Sequence, residues 1–170
     1  MKKNHFELFG LLPAFALDPD YLERAYREIQ AQVHPDKFAH AGDAERRASM
    51  QMTTRVNEAY RTLKSPVQRA KYLLELSGID VGFETNTAMP PEFLVEQMDL
   101  REKLEEARDV ATLDAIGKDL LVMKKNLERE IENQIDSKKN PASATGAVRK
   151  LMFLERFGDE IDSAYGKLEA

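Results

Sequence analysis

Apolar residues at Leu22, Ala25, Tyr26, Ile29 and Val33 follow the i, i+3, i+4, i+7, i+11 order of a single helix face. Asp18-Pro19 gives that helix its start, an acidic N-cap with proline at the first helical position. Pro35 ends it, because the residue before a proline is driven out of the α region. After a loop through Ala41-Gly42-Asp43, a second long helix is expected from about Ala44 to Leu63, with Met52, Val56, Ala59, Tyr60 and Leu63 inward. Ser65-Pro66 opens a third, carrying Val67, Ala70, Tyr72, Leu73, Leu74 and Leu76. Residues 77–90 have no period and hold Gly78, Gly82 and Pro90, which reads as a linker. Three more helices are expected, at about 91–108, 111–136 and 141–168. The middle one spaces Leu113, Ile116, Leu120, Met123, Leu127, Ile131 and Ile135 almost as a coiled coil does. Long amphipathic helices with short connections predict an all-α chain, with an N-terminal domain over residues 1–76 and an antiparallel three-helix bundle over 91–170.

Composition narrows the chemistry. With 170 residues the chain can bury a real core. Having no Cys, it carries no disulfide scaffold, thiol nucleophile or thiolate-held metal site. Its three His (His5, His34 and His40) do not suggest a His-rich site. A metal held by His34, Asp36 and His40 has no local ligand geometry behind it, so neither metal nor cofactor is expected. The net charge of −5 gives no bulk attraction to nucleic acid. That charge is unevenly spread: residues 1–76 carry +2 and residues 77–170 carry −7, so the halves suit differently charged partners. Lys2 and Lys3 before the apolar stretch Leu8–Leu17 faintly echo a secretory signal, but Glu7, Gly10 and Pro13 interrupt it. The expected role is a short helix and loop packed into the first domain of a cytoplasmic protein, with no membrane partner.

The stretch that carries chemistry is His34-Pro35-Asp36-Lys37, in the loop between the first two long helices. Pro35 stiffens the corner, Asp36 can accept charge-assisted hydrogen bonds from a partner arginine, and His34 can donate or accept. Arg24 and Arg27, three apart, share the helix face opposite Leu22 and Ile29 and form a small basic ridge. A ridge beside a rigid acidic corner is a docking surface. An enzyme using His34 and Asp36 as an acid–base pair would need a nucleophile motif or a phosphate-cradling loop, and the sequence offers neither, so no catalytic residue is assigned.

Three segments in order resemble J-domains: Phe6-Glu7-Leu8-Phe9-Gly10-Leu11, the helix ending in His34-Pro35-Asp36-Lys37-Phe38, and Val56-Asn57-Glu58-Ala59-Tyr60-Arg61-Thr62-Leu63. The resemblance implies an antiparallel helical hairpin with the His-Pro-Asp loop at its tip, stimulating ATP hydrolysis by a DnaK-type chaperone. It implicates His34, Pro35, Asp36 and Lys37, with Arg24 and Arg27 as helix contacts. Glu23 and Glu28 dilute the ridge, which fits a dedicated chaperone. Arg69-Ala70-Lys71-Tyr72-Leu73-Leu74, Glu96-Gln97-Met98-Asp99-Leu100-Arg101-Glu102 and Val148-Arg149-Lys150-Leu151-Met152-Phe153-Leu154 extend the likeness to the HscB family of iron–sulfur cluster assembly.

On a helical wheel, Phe93, Leu100, Leu104 and Ala107 form one stripe, expected to face the bundle. Leu94, Val95 and Met98 fall on the other side, framed by Asp99, Glu102, Glu105 and Glu106. An apolar centre with an acidic rim has the composition of a binding patch. The family resemblance implies that Leu94, Val95, Met98, Asp99, Glu102, Glu106 and Phe153 contact an IscU-type iron–sulfur scaffold, which the chain delivers to an HscA-type chaperone. Phe153 lies off the stripe of Leu154, Phe157 and Ile161, a position compatible with an exposed ring. A monomer is expected. The alternative is a J-domain co-chaperone whose bundle serves a different client.

Overall fold

A computed structural model describes residues 2–81 and 89–170. Among them every regular element is a helix or helical turn. The chain divides into two compact units, Met1–Leu73 and Leu74–Ala170. The expected linker lies partly outside the described residues, at 82–88.

In the first unit, α1 (His5–Leu8) is a single turn capped by Asn4, whose side chain accepts from the Glu7 N–H at 2.8 Å. It places Phe6 in the core, and Phe9 and Phe15 follow it there, so the N-terminal segment is a structural part of this domain. Helix α2 (Pro19–Val33) starts where Asp18-Pro19 predicts, with the Asp18 carboxylate accepting from the Asp20 N–H. Helix α3 (Asp43–Lys64) returns antiparallel to it. Tyr26 stacks on Tyr60 at 4.0 Å and donates its hydroxyl to Asn57 Oδ1 at 2.6 Å, while the far end of α2 meets Ser49. Leu22, Val56, Ala59 and Leu63 are buried between these elements, as their spacing predicts. Helix α4 (Pro66–Leu76) ends the unit and runs on past its boundary at Leu73. Its Tyr72 stacks on His5 and accepts from the His5 N–H at 3.0 Å. Leu76, grouped with the apolar residues of this helix, is exposed.

In the second unit, α5 (Pro91–Glu106), α6 (Val110–Glu132) and α7 (Thr145–Glu169) form an up–down–up bundle. Helices α6 and α7 run antiparallel: Tyr165 donates to Asp114, and Lys124 meets Glu155 at 3.4 Å. The core is Phe93, Leu100, Ile116, Leu120, Leu154, Phe157 and Ile161, with Leu104, Ala107, Met123 and Leu127 partly buried against it. Two boundaries differ from the periodic pattern. Helix α6 widens into a π-turn at Asn133–Ser137, and α7 is preceded by a 3₁₀ turn at Pro141–Ala144. Residue 81 is tied to this unit, since Val81 is buried and its carbonyl accepts from Arg149 Nε at 2.7 Å.

Candidate functional site

The first candidate surface is built at the end of α2. Val33 has no next turn to take up its carbonyl, and α3 supplies the donors: Ser49 Oγ at 2.6 Å and Thr53 Oγ1 at 3.3 Å. Ser49 is buried, and that position is the polar member of an otherwise apolar inward stripe with Met52, Val56 and Ala59. A hydroxyl on the inward face is a signal in the sequence that it serves the backbone of a neighbouring element, and sequence reasoning passed over it.

His34 leaves the helix in an extended conformation (φ −56°, ψ 134°), and Pro35 starts a 3₁₀ turn over Pro35–Phe38. The turn closes with the Lys37 N–H donating to the His34 carbonyl at 3.0 Å. The Asp36 N–H donates to His34 Nδ1 at 3.2 Å. An Nδ1 that accepts carries no proton, so the neutral ring has its proton on Nε2, which is left to donate. Asp36 Oδ2 also lies 3.5 Å from His34 Nδ1. The Asp36 side chain is 93% exposed, so its carboxylate remains available to an incoming cation. His34, Asp36 and Lys37 are exposed and Pro35 is half-buried. Among the described residues, no three His, Asp or Glu side chains gather in a metal-ligating cluster.

Arg24 and Arg27 are both exposed on α2. The basic ridge is weaker than the residues alone imply, because Glu23 takes Arg27 Nη2 at 2.7 Å in an i,i+4 pair. The pair is well exposed, so a competing carboxylate on a partner can displace Glu23 at small cost.

The second surface is the outer face of α5. Phe93 and Leu100 are buried in the bundle, which turns Leu94, Val95 and Met98 outward with 43%, 57% and 68% of their surface exposed. Asp99, Glu102 and Glu106 are exposed beside them. Full burial of three such side chains is worth about 1.5–3 kcal/mol each, so the face gives up considerable stabilisation until something covers it. Phe153 departs from the exposed reading. It is half-buried, its ring edge-on to Phe93 at 6.4 Å, and it packs against the core cluster. A wheel drawn for α7 alone places it off that helix's own stripe and does not include the α5 ring that covers it. Phe153 therefore borders the α5 face from the α7 side and does not stand free beside it.

Family comparison agrees with both units. A DnaJ domain model matches residues 4–72, and the HSCB C-terminal oligomerisation domain matches residues 89–162. Proteins described as co-chaperone protein HscB homologues are 49% identical over 172 residues in Burkholderia vietnamiensis and 50% identical over 172 residues in Paraburkholderia phymatum. Each alignment covers 99% of this chain and 98% of the relative. Among solved structures, chaperone HscB from Vibrio cholerae has 35% identity and a TM-score of 0.85, covering 98% of this chain and 99% of that one. Human co-chaperone protein HscB has 28% identity and a TM-score of 0.91, covering 99% of this chain and 84% of that one. With a J-domain fold at one end, the HscB-type bundle at the other and full-length relatives at this identity, the chain belongs to the HscB family of J-domain co-chaperones.

Proposed function

We propose that this protein binds an IscU-type iron–sulfur scaffold on the α5 face and delivers it to an HscA-type heat-shock chaperone, whose ATPase it stimulates through the His34-Pro35-Asp36 turn. The observation that carries the reading is that one chain exposes both a rigid donor–acceptor corner and an acid-rimmed apolar face. Arg24, Arg27 and Lys37 assist at the first surface. Leu94, Val95, Met98, Asp99, Glu102, Glu106 and Phe153 serve the second. The working division is a J-domain over 1–76, a connector over 77–90 and a scaffold-binding bundle over 91–170. The chain acts as a cytoplasmic monomer, with no chemistry of its own and no nucleic-acid or membrane partner. Phosphoryl chemistry belongs to the chaperone, and this protein shifts its conformational equilibrium by binding one state better.

The test is single-turnover ATP hydrolysis by an HscA-type chaperone with this protein, with IscU-type scaffold, and with both. Synergy between the two is expected. His34→Gln is expected to abolish the stimulation while leaving scaffold affinity unchanged. Leu94→Ala with Met98→Ala is expected to do the reverse. Stimulation that ignores the scaffold would instead mark a J-domain co-chaperone for another client. Loss of the same activity in both variants would show that the surfaces do not divide the work.

A further inference from the structure

The seam where α5 meets α7 holds a polar group that the docking reading has not used. Gln97 lies between the buried stripe of α5 and its exposed face. Its Nε2 is buried and meets no acceptor among the described residues. Buried amide donors are almost always paired, so one without an acceptor in the free protein asks what provides it. Gln97 lines a recess with Leu100, Arg101, Phe153, Leu154 and Phe157, and the space admits about one water-sized group. That is room for a single oxygen atom and no room for a side-chain body.

The charge around the recess selects the kind of oxygen. Lys150 Nζ stands over the Phe93 ring, 5.6 Å from its centre. Arg101 lies on the other side, its Nη1 3.3 Å from Glu160. At 100° per residue, the order around α5 from the buried side outward puts Gln97 and Arg101 first, then Leu94, Glu105 and Met98, then Glu102, Val95, Glu106 and Asp99. The strip of Leu94 and Met98, with Glu105 between them, thus has an amide donor, Lys150 and the Glu160-paired Arg101 along one edge, and the carboxylates of Glu102, Glu106 and Asp99 along the other. A partner ridge that fits it must carry acid on one flank and base on the opposite one.

We infer that the α5–α7 seam is a carboxylate-accepting subsite of the docking face, in which Gln97 Nε2 donates to a carboxylate oxygen of the docked scaffold with Lys150 and Arg101 alongside. The inference rests on the scaffold-docking reading above. It adds what that reading lacks, a polar contact on the opposite edge from the acidic rim that sets which way round the partner lies. Apolar contact alone does not encode direction, whereas opposite charges on two edges make the reversed pose repulsive.

The experiment is calorimetric titration of IscU-type scaffold into the full chain, alongside thermal melts of the same variants. Gln97→Met keeps the volume and removes the donor. It is expected to weaken binding about tenfold with an unchanged or raised melting temperature, because the substitution also removes an unpaired buried group. Gln97→Glu sets carboxylate against carboxylate and is expected to weaken binding further. Leu94→Ala with Met98→Ala is the control for the face itself. If that control loses binding while Gln97→Met binds as wild type does, the subsite is overturned and the docking reading stands. Weaker binding together with a lower melting temperature in Gln97→Met would make the residue structural, which also overturns the subsite. A wild-type chain that fails to bind the scaffold removes the docking reading and the subsite with it.

Discussion

Arg69 is only 8% exposed in the first unit. Its Nε donates to the Phe15 carbonyl at 2.7 Å and its Nη1 to the Leu63 carbonyl at 2.6 Å, with the guanidinium 4.9 Å from the Phe15 ring centre. One side chain thereby ties the N-terminal segment to the end of α3. Arg69→Met would keep much of the packing and strand two buried carbonyls. Since hydrogen bonds to charged groups are worth about 1.5–3 kcal/mol each, a loss of about 3 kcal/mol is expected in urea unfolding. The role is invisible in the sequence, where Arg69 is one more charge on a helix. The carbonyls it meets lie 54 and 6 residues away, and only folding brings the distant one near. The Arg27–Glu23 pair is the opposite case, because four-residue spacing on a helix announces it directly.

Helix ends show the same contrast between local and distant causes. Asp18, Pro19 and Pro91 mark their helix starts because caps and prolines act on their own backbone. The π-turn at Asn133–Ser137 and the outward Leu76 carry no such local mark. The stripe of Phe93 and Leu100 and the exposed set Leu94, Val95 and Met98 were legible, since one helix's period determines both. The placement of Phe153 and Gln97 was not, because side chains from another helix bury them. At the start of α6, the Asp109 carboxylate accepts from the Thr112 N–H at 2.7 Å. The backbone hydrogen bond from Thr112, aided by that residue's hydroxyl, holds this carboxyl below the ordinary carboxylate range. A lowered folded-state value means the cap's stabilisation is complete above the unfolded carboxyl's pKa, about 4. It is lost as pH falls through the lower folded-state value. Amide exchange at Thr112 is therefore expected to accelerate, beyond the intrinsic pH trend, only in that acidic window. Asp109→Asn, which keeps an acceptor without the titration, is expected to remove the window.

At the scale of the whole molecule, covalent linkage is the feature to test. In the proposed function, a scaffold held on α5 is presented to the chaperone at an effective concentration that no mixture of separate chains attains. Mixing His34→Gln chains with Leu94→Ala/Met98→Ala chains is therefore expected to leave single-turnover hydrolysis without synergy. Full recovery in the mixture would mean the two surfaces can work on different chains. The division into two units was legible from the break in period after Leu76, although the compact units part slightly earlier, at Leu73 and Leu74.

The stacked Tyr26 and Tyr60 have a consequence in optical terms. The chain has no tryptophan and 5 tyrosines, of which Tyr21, Tyr26, Tyr60 and Tyr72 belong to the first unit and Tyr165 alone to the bundle. Near-ultraviolet absorption, fluorescence and circular dichroism therefore view the protein mainly through its J-domain. A chaperone arriving at that unit can be followed without a label. A ligand covering α5 is reported only by Tyr165, on a different helix, unless a further chromophore is placed in the bundle.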